Sequence, residues 1–318
     1  MPRSRRWVAP VAIFALLLSM MAGPLFGTAR AQDQVTLRVW DQFTGEPGNT
    51  VAQGIYDDFM AKNPNIKIER EAVSSDQMRQ TVNTAIASGT GPDIIFYDAG
   101  PGYAGVLANA GLLLPLDQYA AKYGWGEKIG APSKEATTIG GKWYGMPLQV
   151  DLIGMYYNKT LLDKEGLAVP KTFDDLISFC GQARAKGYIP IAFSDNPGWQ
   201  AFHEFSMTAN QMIGPDAMRN LLYDNQGSWD TPPIVTAIKD WFVDLNKANC
   251  LPPDPAGITY DDGNSLFYTG QALLNPTGSW IIGEMGEQMT DYQVGFVPFP
   301  TLAGGKGSLW ISGVGSAY

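Results

Sequence analysis

Hydrophobic and polar positions alternate first at Val35, Leu37 and Val39 against Thr36, Arg38 and Trp40, which predicts a strand. Gly45, Pro47 and Gly48 interrupt it. Val51, Ile55 and Phe59 then recur at helical spacing, with Tyr56 beside them, and predict one inward apolar face. Asn63-Pro64-Asn65 stops that helix, Ile66 and Ile68 open a second strand, and Met78, Val82 and Ile86 mark a second helix ending near Gly89 and Gly91. Asp93 to Phe96 is a short apolar run of the kind found in buried parallel strands. Strand, helix, strand, helix, strand is the order of an open α/β sheet with right-handed crossovers.

Gly111 to Leu116 closes this unit, Gly140-Gly141 makes a turn, and Trp143 to Tyr157 is a long extended stretch that leads into a second unit. There, Thr172 with Asp175 three residues later forms a helix-start box ahead of Leu176, Phe179, Cys180 and Ala183. Ile189 to Phe193 reads as a strand, and Phe202, Phe205 and Ala209 mark a helix. Thr231-Pro232-Pro233 opens another helix, with Ile234, Ile238, Trp241, Phe242 and Leu245 facing inward. A short helix over 262–270 and strands over 272–274 and 294–297 complete the pattern. The fold class is α/β: two lobes in tandem, joined by extended crossovers, with strand ends facing one cleft.

The first 31 residues form a separate object. Arg3, Arg5 and Arg6 precede an apolar run from Val8 to Met21, and Ala29-Arg30-Ala31 places small residues where a signal peptidase reads. This is a secretory signal, cleaved after Ala31; the run is too short for a membrane span of ~20 residues. Cleavage removes four of 22 basic residues and none of the 31 acidic ones, leaving a formal charge of −13. Such an acidic chain does not seek phosphates, which excludes nucleic acid as a partner. The single histidine and two cysteines build no metal site at their spacings. Cys180 and Cys250 form a disulfide in an oxidising compartment or remain two buried thiols; spacing leaves both open.

Further phrases carry a resemblance. Gly91-Pro92-Asp93-Ile94-Ile95, then Gly111-Leu112-Leu113 with Leu116-Asp117, then Tyr144 to Lys159 ending Tyr156-Tyr157-Asn158-Lys159, stand in order along the chain. Pro170 to Leu176, Phe267 to Ala272 and Gly278-Ser279-Trp280 follow. Together they resemble the extracellular solute-binding proteins of ABC importers, in the carbohydrate-binding group, over residues 33–318. The resemblance implies a periplasmic-binding-protein-like fold with lobes over 32–150 and 151–294 and a returning segment over 295–318. It also implies a periplasmic or extracellular monomer without a cofactor. The expected partners are a small-molecule ligand, a mono- or oligosaccharide, and the transmembrane permease subunits. Relatives continue past the point where this chain stops, so Tyr318 reads as a truncation.

A sugar offers C–H faces to aromatic rings and hydroxyls to planar polar groups. Eight of the nine tryptophans follow the signal. Trp40 and Asp41 end the first strand, with Glu46 in the same loop; Tyr97 and Asp98 end the third. Trp40 could equally pack at the rim, and Asp98 could cap a helix. Asp151, beside Gln149 in the crossover, matches the family position where an acid meets a sugar hydroxyl; its alternative is a hinge hydrogen bond. Trp199 and His203 lie one helical turn apart, the histidine as ligand contact or structural group. Trp280 is the foremost candidate: the resemblance assigns a sugar-stacking role to it, and Gly278 permits close backbone approach. Trp310 is a later candidate, and Trp241 belongs to the core.

An enzyme needs more than carboxylate pairs such as Asp98 and Asp151, which any acidic chain offers. The sequence has no G-x-S-x-G, no phosphate loop and no nucleophile beside its one histidine. The runner-up to a neutral saccharide is a cationic solute in an aromatic and acidic cage.

Overall fold

The computed structural model describes residues 34–196, 198–307 and 311–318. The proposed signal segment and Trp310 lie outside the described residues. Strand β1 (Val35–Asp41) lies between β2 (Ile66–Ala72) and β3 (Ile94–Ile95) in a parallel sheet, with helices α1 (Gly48–Lys62) and α2 (Ser75–Ala87) as the crossovers. β4 (Tyr97–Asp98) continues the third strand's course. A short hairpin, β5 (Thr138–Ile139) and β6 (Lys142–Trp143), precedes the crossing to the second sheet. This is the βαβαβ unit that the alternation predicts.

The second sheet is mixed. β7 (Asp151–Asn158) pairs antiparallel with β9 (Ala272–Gly278), which runs parallel to β8 (Ile189–Ile191). Along its other edge β7 pairs with β10 (Val294–Val297) and then β11 (Ile311–Gly313). The chain next returns to the first unit: β12 (Ser316–Ala317) pairs with β4. The two lobes are therefore linked by the stretch before β7 and again by the stretch after β11.

Helix α3 (Phe173–Ala185) starts at the predicted box: the Thr172 side chain accepts from the Asp175 N–H, and Asp175 accepts in return from the Thr172 N–H. Its inner face, with Leu176, Phe179, Cys180 and Ala183, packs into the main core of the second lobe around Met155, Trp241 and Leu273. Cys180 and Cys250 are disulfide-bonded, which settles the open alternative.

Two inward faces differ from the sequence reading. On α1, Val51, Ile55 and Phe59 are exposed, while Ala52 is buried and Tyr56 turns to the sheet. The helix is rotated by about one residue because the Tyr56 hydroxyl donates to Asp41 Oδ2 at 3.1 Å. On the helix that starts at Pro232, Ile238 and Phe242 are exposed, and Ile234, Ala237, Trp241 and Leu245 are buried. The buried stripe keeps the 3.6-residue period through the π-helical segment over Lys239–Asp244, but it is centred on Ile234, Ala237, Trp241 and Leu245, which leaves Ile238 and Phe242 outside its edge. Trp241 is in the core as expected, its ring edge-on to Phe193 and Phe299.

The disulfide joins positions 70 residues apart in this core. Replacing both Cys180 and Cys250 by Ala should lower the unfolding free energy in urea by about 4–4.5 kcal/mol, the chain-entropy value for a loop of that length. An unchanged urea midpoint would mean that the cross-link places no constraint on the unfolded chain.

Candidate functional site

The rim of the second lobe carries an aromatic wall built from three separate segments. Trp199 occupies the N-cap of α4 (Gln200–Ile213), and His203 follows one turn later. Tyr260 is the first residue of α5 (Tyr260–Tyr268), whose start is fixed by the Thr259 side chain accepting from the Asp262 N–H. Trp280 lies in the 3₁₀ turn that follows β9. Ring centroids stand 4.9 Å apart for Trp199 and His203, 4.7 Å for Trp199 and Tyr260, and 5.5 Å for His203 and Trp280.

Polar tips lock this wall. Trp280 Nε1 donates to the Tyr260 hydroxyl at 2.5 Å, and that hydroxyl lies 2.9 Å from Thr277 Oγ1. Burial pushes the Tyr260 phenol up to about 12, so it stays neutral and keeps its hydrogen. The Trp280 ring lies against the Gly278 backbone: a Cβ at that position would stand 1.9 Å from its Cζ3. Gly278 is thus required by the ring itself.

The first lobe meets the wall through α2. Arg79 donates from Nε and Nη2 to Asp98 at 2.8 and 3.1 Å, and its guanidinium covers the Trp199 ring at 4.9 Å and the Tyr103 ring at 5.3 Å. Asp76, one turn before Arg79, accepts from Trp199 Nε1 at 3.2 Å. A hydrogen bond and a cation–π contact therefore span the seam between the lobes. Arg79 Nη1 and His203 Nδ1 are buried without a hydrogen-bond partner among the described residues. Burial, and then the Arg79 cation, hold the His203 imidazole down at about 4. Behind the wall, Glu204 is 1% exposed with Oε2 unpartnered; burial, and to a lesser degree Asp195, raise its carboxyl well above the usual range.

Trp199, His203 and Trp280 thus come together, and Asp98 reaches them through Arg79. The remaining candidates stand apart. Trp40 packs on the first lobe's core beside Met78 and Val82. Asp41 is fully buried in a two-pronged ion pair with Arg70, at 2.6 and 2.9 Å. Glu46 accepts from Asn49 Nδ2 and the Thr50 N–H at the start of α1. Tyr97 is buried, edge-on to Tyr103. Asp151 accepts from Gln149 Nε2 and from Ser279 Oγ at 2.9 Å, at the place where the chain enters β7. Arg79, Asp76, Tyr103 and Tyr260 escaped the sequence reading. The one available signal was the Asp76–Arg79 spacing of three on a helix, which many solvated helices share.

A cavity of about 300 Å³ opens elsewhere, in the first lobe between Ile94, Leu113, Leu114, Ile139, Tyr144 and Tyr318. Its mainly apolar lining suits a hydroxylated ligand poorly, so the seam, with its rings and with Arg79 Nη1 and His203 Nδ1 free of hydrogen-bond partners among the described residues, is the better candidate.

A family model described as "Bacterial extracellular solute-binding protein" matches residues 44–318. The chain is 25% identical over 302 residues to the multiple sugar-binding protein of Streptococcus mutans, covering 87% of this chain and 64% of that one. It is 26% identical over 259 residues to the maltotriose-binding protein of Pyrococcus abyssi, covering 80% and 52%. The chain thus spans less than two thirds of either relative. A solved structure from work on xylan utilization by the thermophilic bacterium Caldanaerobius polysaccharolyticus has a TM-score of 0.81 and 28% identity, covering 89% of this chain and 72% of that one.

The two buried groups on α4 have opposite pH signatures. His203 has a folded pKa of about 4, below the ordinary 6.5, so its stability contribution is present above pH 6.5 and is lost as pH falls toward 4. Glu204 has a folded pKa above the ordinary 4.5, so its contribution is present below 4.5 and is lost as pH rises. Relative to wild type, Glu204→Gln should be more stable at pH 7, by about 1 kcal/mol or more, with the gain vanishing toward pH 4. His203→Gln should flatten the acid limb. Urea midpoints from pH 4 to 8 read both, and a Glu204→Gln protein no more stable at neutral pH would show that the carboxyl is paired in solution.

Proposed function

This chain belongs to the bacterial extracellular solute-binding proteins, and from that membership we propose that it is the receptor subunit of an ABC importer that captures a neutral mono- or oligosaccharide. The lobes are taken as residues 32–150 and 151–294, with 295–318 returning to the first. The observation that carries the reading is the wall of Trp199, Tyr260 and Trp280 on one lobe, facing Arg79 and Asp76 on the other. Aromatic faces stack on sugar C–H surfaces, while Arg79 Nη1 donates to a hydroxyl and His203 Nδ1 makes a second hydrogen bond. The named relatives bind sugars, which supports the same ligand class here.

Ligand bridging the lobes favours the closed arrangement, because both walls contribute only when they meet. The closed form then engages the permease. The reading is one of binding without chemistry, in keeping with a family of binding proteins. A second reading, a cationic solute, has one observation in its favour: the Trp199 face already accepts a guanidinium. Arg79 itself opposes it, since a second cation at that seam would meet the first.

Thermal-shift screening against neutral sugars, polyamines and phosphate separates these ligand classes, because a binder raises the midpoint by mass action. A rise with sugars alone is expected. Trp280→Ala should then weaken the sugar about tenfold or more in calorimetry, the loss of one stacking surface and its packing. A rise with polyamines alone would replace the saccharide by the cation.

Export is part of the proposal. Among the described residues no helix is long and apolar enough to cross a membrane. Mass spectrometry of the chain secreted from a bacterial host should find Gln32 at its N-terminus, the product of cleavage after Ala31. Retention of the first 31 residues on the exported protein would overturn that assignment.

A further inference from the structure

Alternation along β1 sends neighbouring side chains to opposite faces of the first sheet. Asp41 turns to one face, where it meets Tyr56 of α1 and Arg70. Trp40 turns to the other and packs beside Met78 and Val82 of α2. Gln42, the first residue past β1, follows Trp40 onto the α2 side, where its Oε1 accepts from Ser75 Oγ at 3.1 Å. The backbone around it is pinned. The Asp41 carbonyl accepts from the Val73 N–H at 2.8 Å, and the Gln42 carbonyl accepts from the Thr44 N–H at 3.0 Å. The Phe43 N–H donates to Asp41 Oδ1, and the Phe43 ring stacks on Phe96 with centroids 5.1 Å apart.

Gln42 is thus held at the carboxyl end of a parallel strand, the edge of an open α/β sheet where ligands sit. Ser75, which holds the amide, stands one residue before Asp76 and one helical turn before Arg79, the two groups that reach Trp199 across the seam. The amide has two ends, and Ser75 takes one of them. Nε2 is buried without a hydrogen-bond partner among the described residues. Turning the amide over exchanges its ends and still leaves one unpaired, because the Ser75 hydroxyl can donate or accept. A buried amide end without a partner is destabilising, so a strand end that keeps one is suited to a polar group from outside the chain. A hydroxyl both donates and accepts, so a sugar satisfies either end of the amide.

We propose that Gln42 is a further ligand-contacting residue: its free amide end hydrogen-bonds one hydroxyl of the bound saccharide from the first lobe, while Trp199 and Trp280 hold the ring from the second. This rests on the saccharide reading of the seam. Ser75 is the positioning residue that fixes the direction of the amide. Gln42 selects by hydroxyl rather than by ring face, since a ligand without that hydroxyl leaves the amide unpaired in the closed cleft and binds more weakly.

The test titrates glucose, galactose, xylose, maltotriose and xylotriose into the whole chain by calorimetry, and repeats the series with Gln42→Leu, Ser75→Ala and Trp280→Ala. Gln42→Leu should weaken the sugars that bind wild type by about five- to tenfold. Ser75→Ala should weaken them by about two- to threefold, because the amide loses its fixed direction. Without ligand, the thermal midpoint of Gln42→Leu should equal or exceed that of wild type, since leucine fills similar space and removes the unpaired polar end. A merely structural amide would do the reverse, lowering the midpoint and leaving affinity alone. The inference is overturned, with the saccharide reading intact, if Gln42→Leu binds every sugar as wild type does while Trp280→Ala loses them. It is also overturned if the midpoint of Gln42→Leu falls, for then the amide is paired within the protein. If no sugar of the panel binds wild type, both readings fall.

Discussion

The arrangement at the seam depends on how Arg79 is held. A guanidinium is a rigid planar fork, and here two of its prongs are fixed on Asp98 while its face is left for aromatic rings. That single orientation puts it over Tyr103 of its own lobe and over Trp199 of the other. Asp98 in turn sits in β4, opposite Ser316 of β12. The returning end of the chain therefore helps to place the carboxylate that aims the cation. A lysine could satisfy the charge of Asp98 but could not present a flat face to Trp199 at the same time.

The same carboxylate chemistry is used twice in the first lobe, with different consequences. Asp41 and Asp98 both end strands, and both hold an arginine by two hydrogen bonds. Arg70 lies on the neighbouring strand, so its pair with Asp41 is closed and buried: its remaining donors go to Asn49 and the Phe43 carbonyl, and its face lies over Tyr56. Arg79 lies on a helix at the rim, so its pair with Asp98 leaves Nη1 without a hydrogen-bond partner. A strand-end acid is thus closed into the interior or left at the rim according to where its cation comes from, which local sequence does not reveal.

This sets the limit of what was legible. The order of strands and helices in the first lobe, the capping box at Thr172 and the core role of Trp241 are local signals, and they were read correctly. Faces were harder, because periodicity gives the angular width of an apolar stripe but not its rotation. On α1 the Tyr56–Asp41 hydrogen bond decides the rotation, and on the helix from Pro232 the buried stripe is centred on Ile234, Ala237, Trp241 and Leu245, which leaves Ile238 and Phe242 outside it. At the candidate site, residue type alone named Trp199, His203 and Trp280, which the fold brings together. Tyr260 was missed because its role exists only through the Trp280 indole, twenty positions away in sequence and 2.5 Å away in space.

The strength of the seam bears on how the proposed receptor would work. Among the described residues, one hydrogen bond runs across it, Trp199 to Asp76, worth about 1 kcal/mol, with one partly exposed cation–π contact worth about 0.5–2 kcal/mol and one exposed ion pair, Arg219 to Glu135, worth about 0–1 kcal/mol. Those are shallow terms against the rigid wall behind them, where Tyr260, Thr277, Gly278 and Trp280 constrain one another. The wall is preorganised, and the contact between the lobes is weak enough to open thermally. A ligand then needs only a few kcal/mol of differential affinity to shift the balance decisively toward closure. In the proposed receptor, affinity resides in the stacking surfaces of the second lobe, while the switch resides in a few replaceable contacts along the seam.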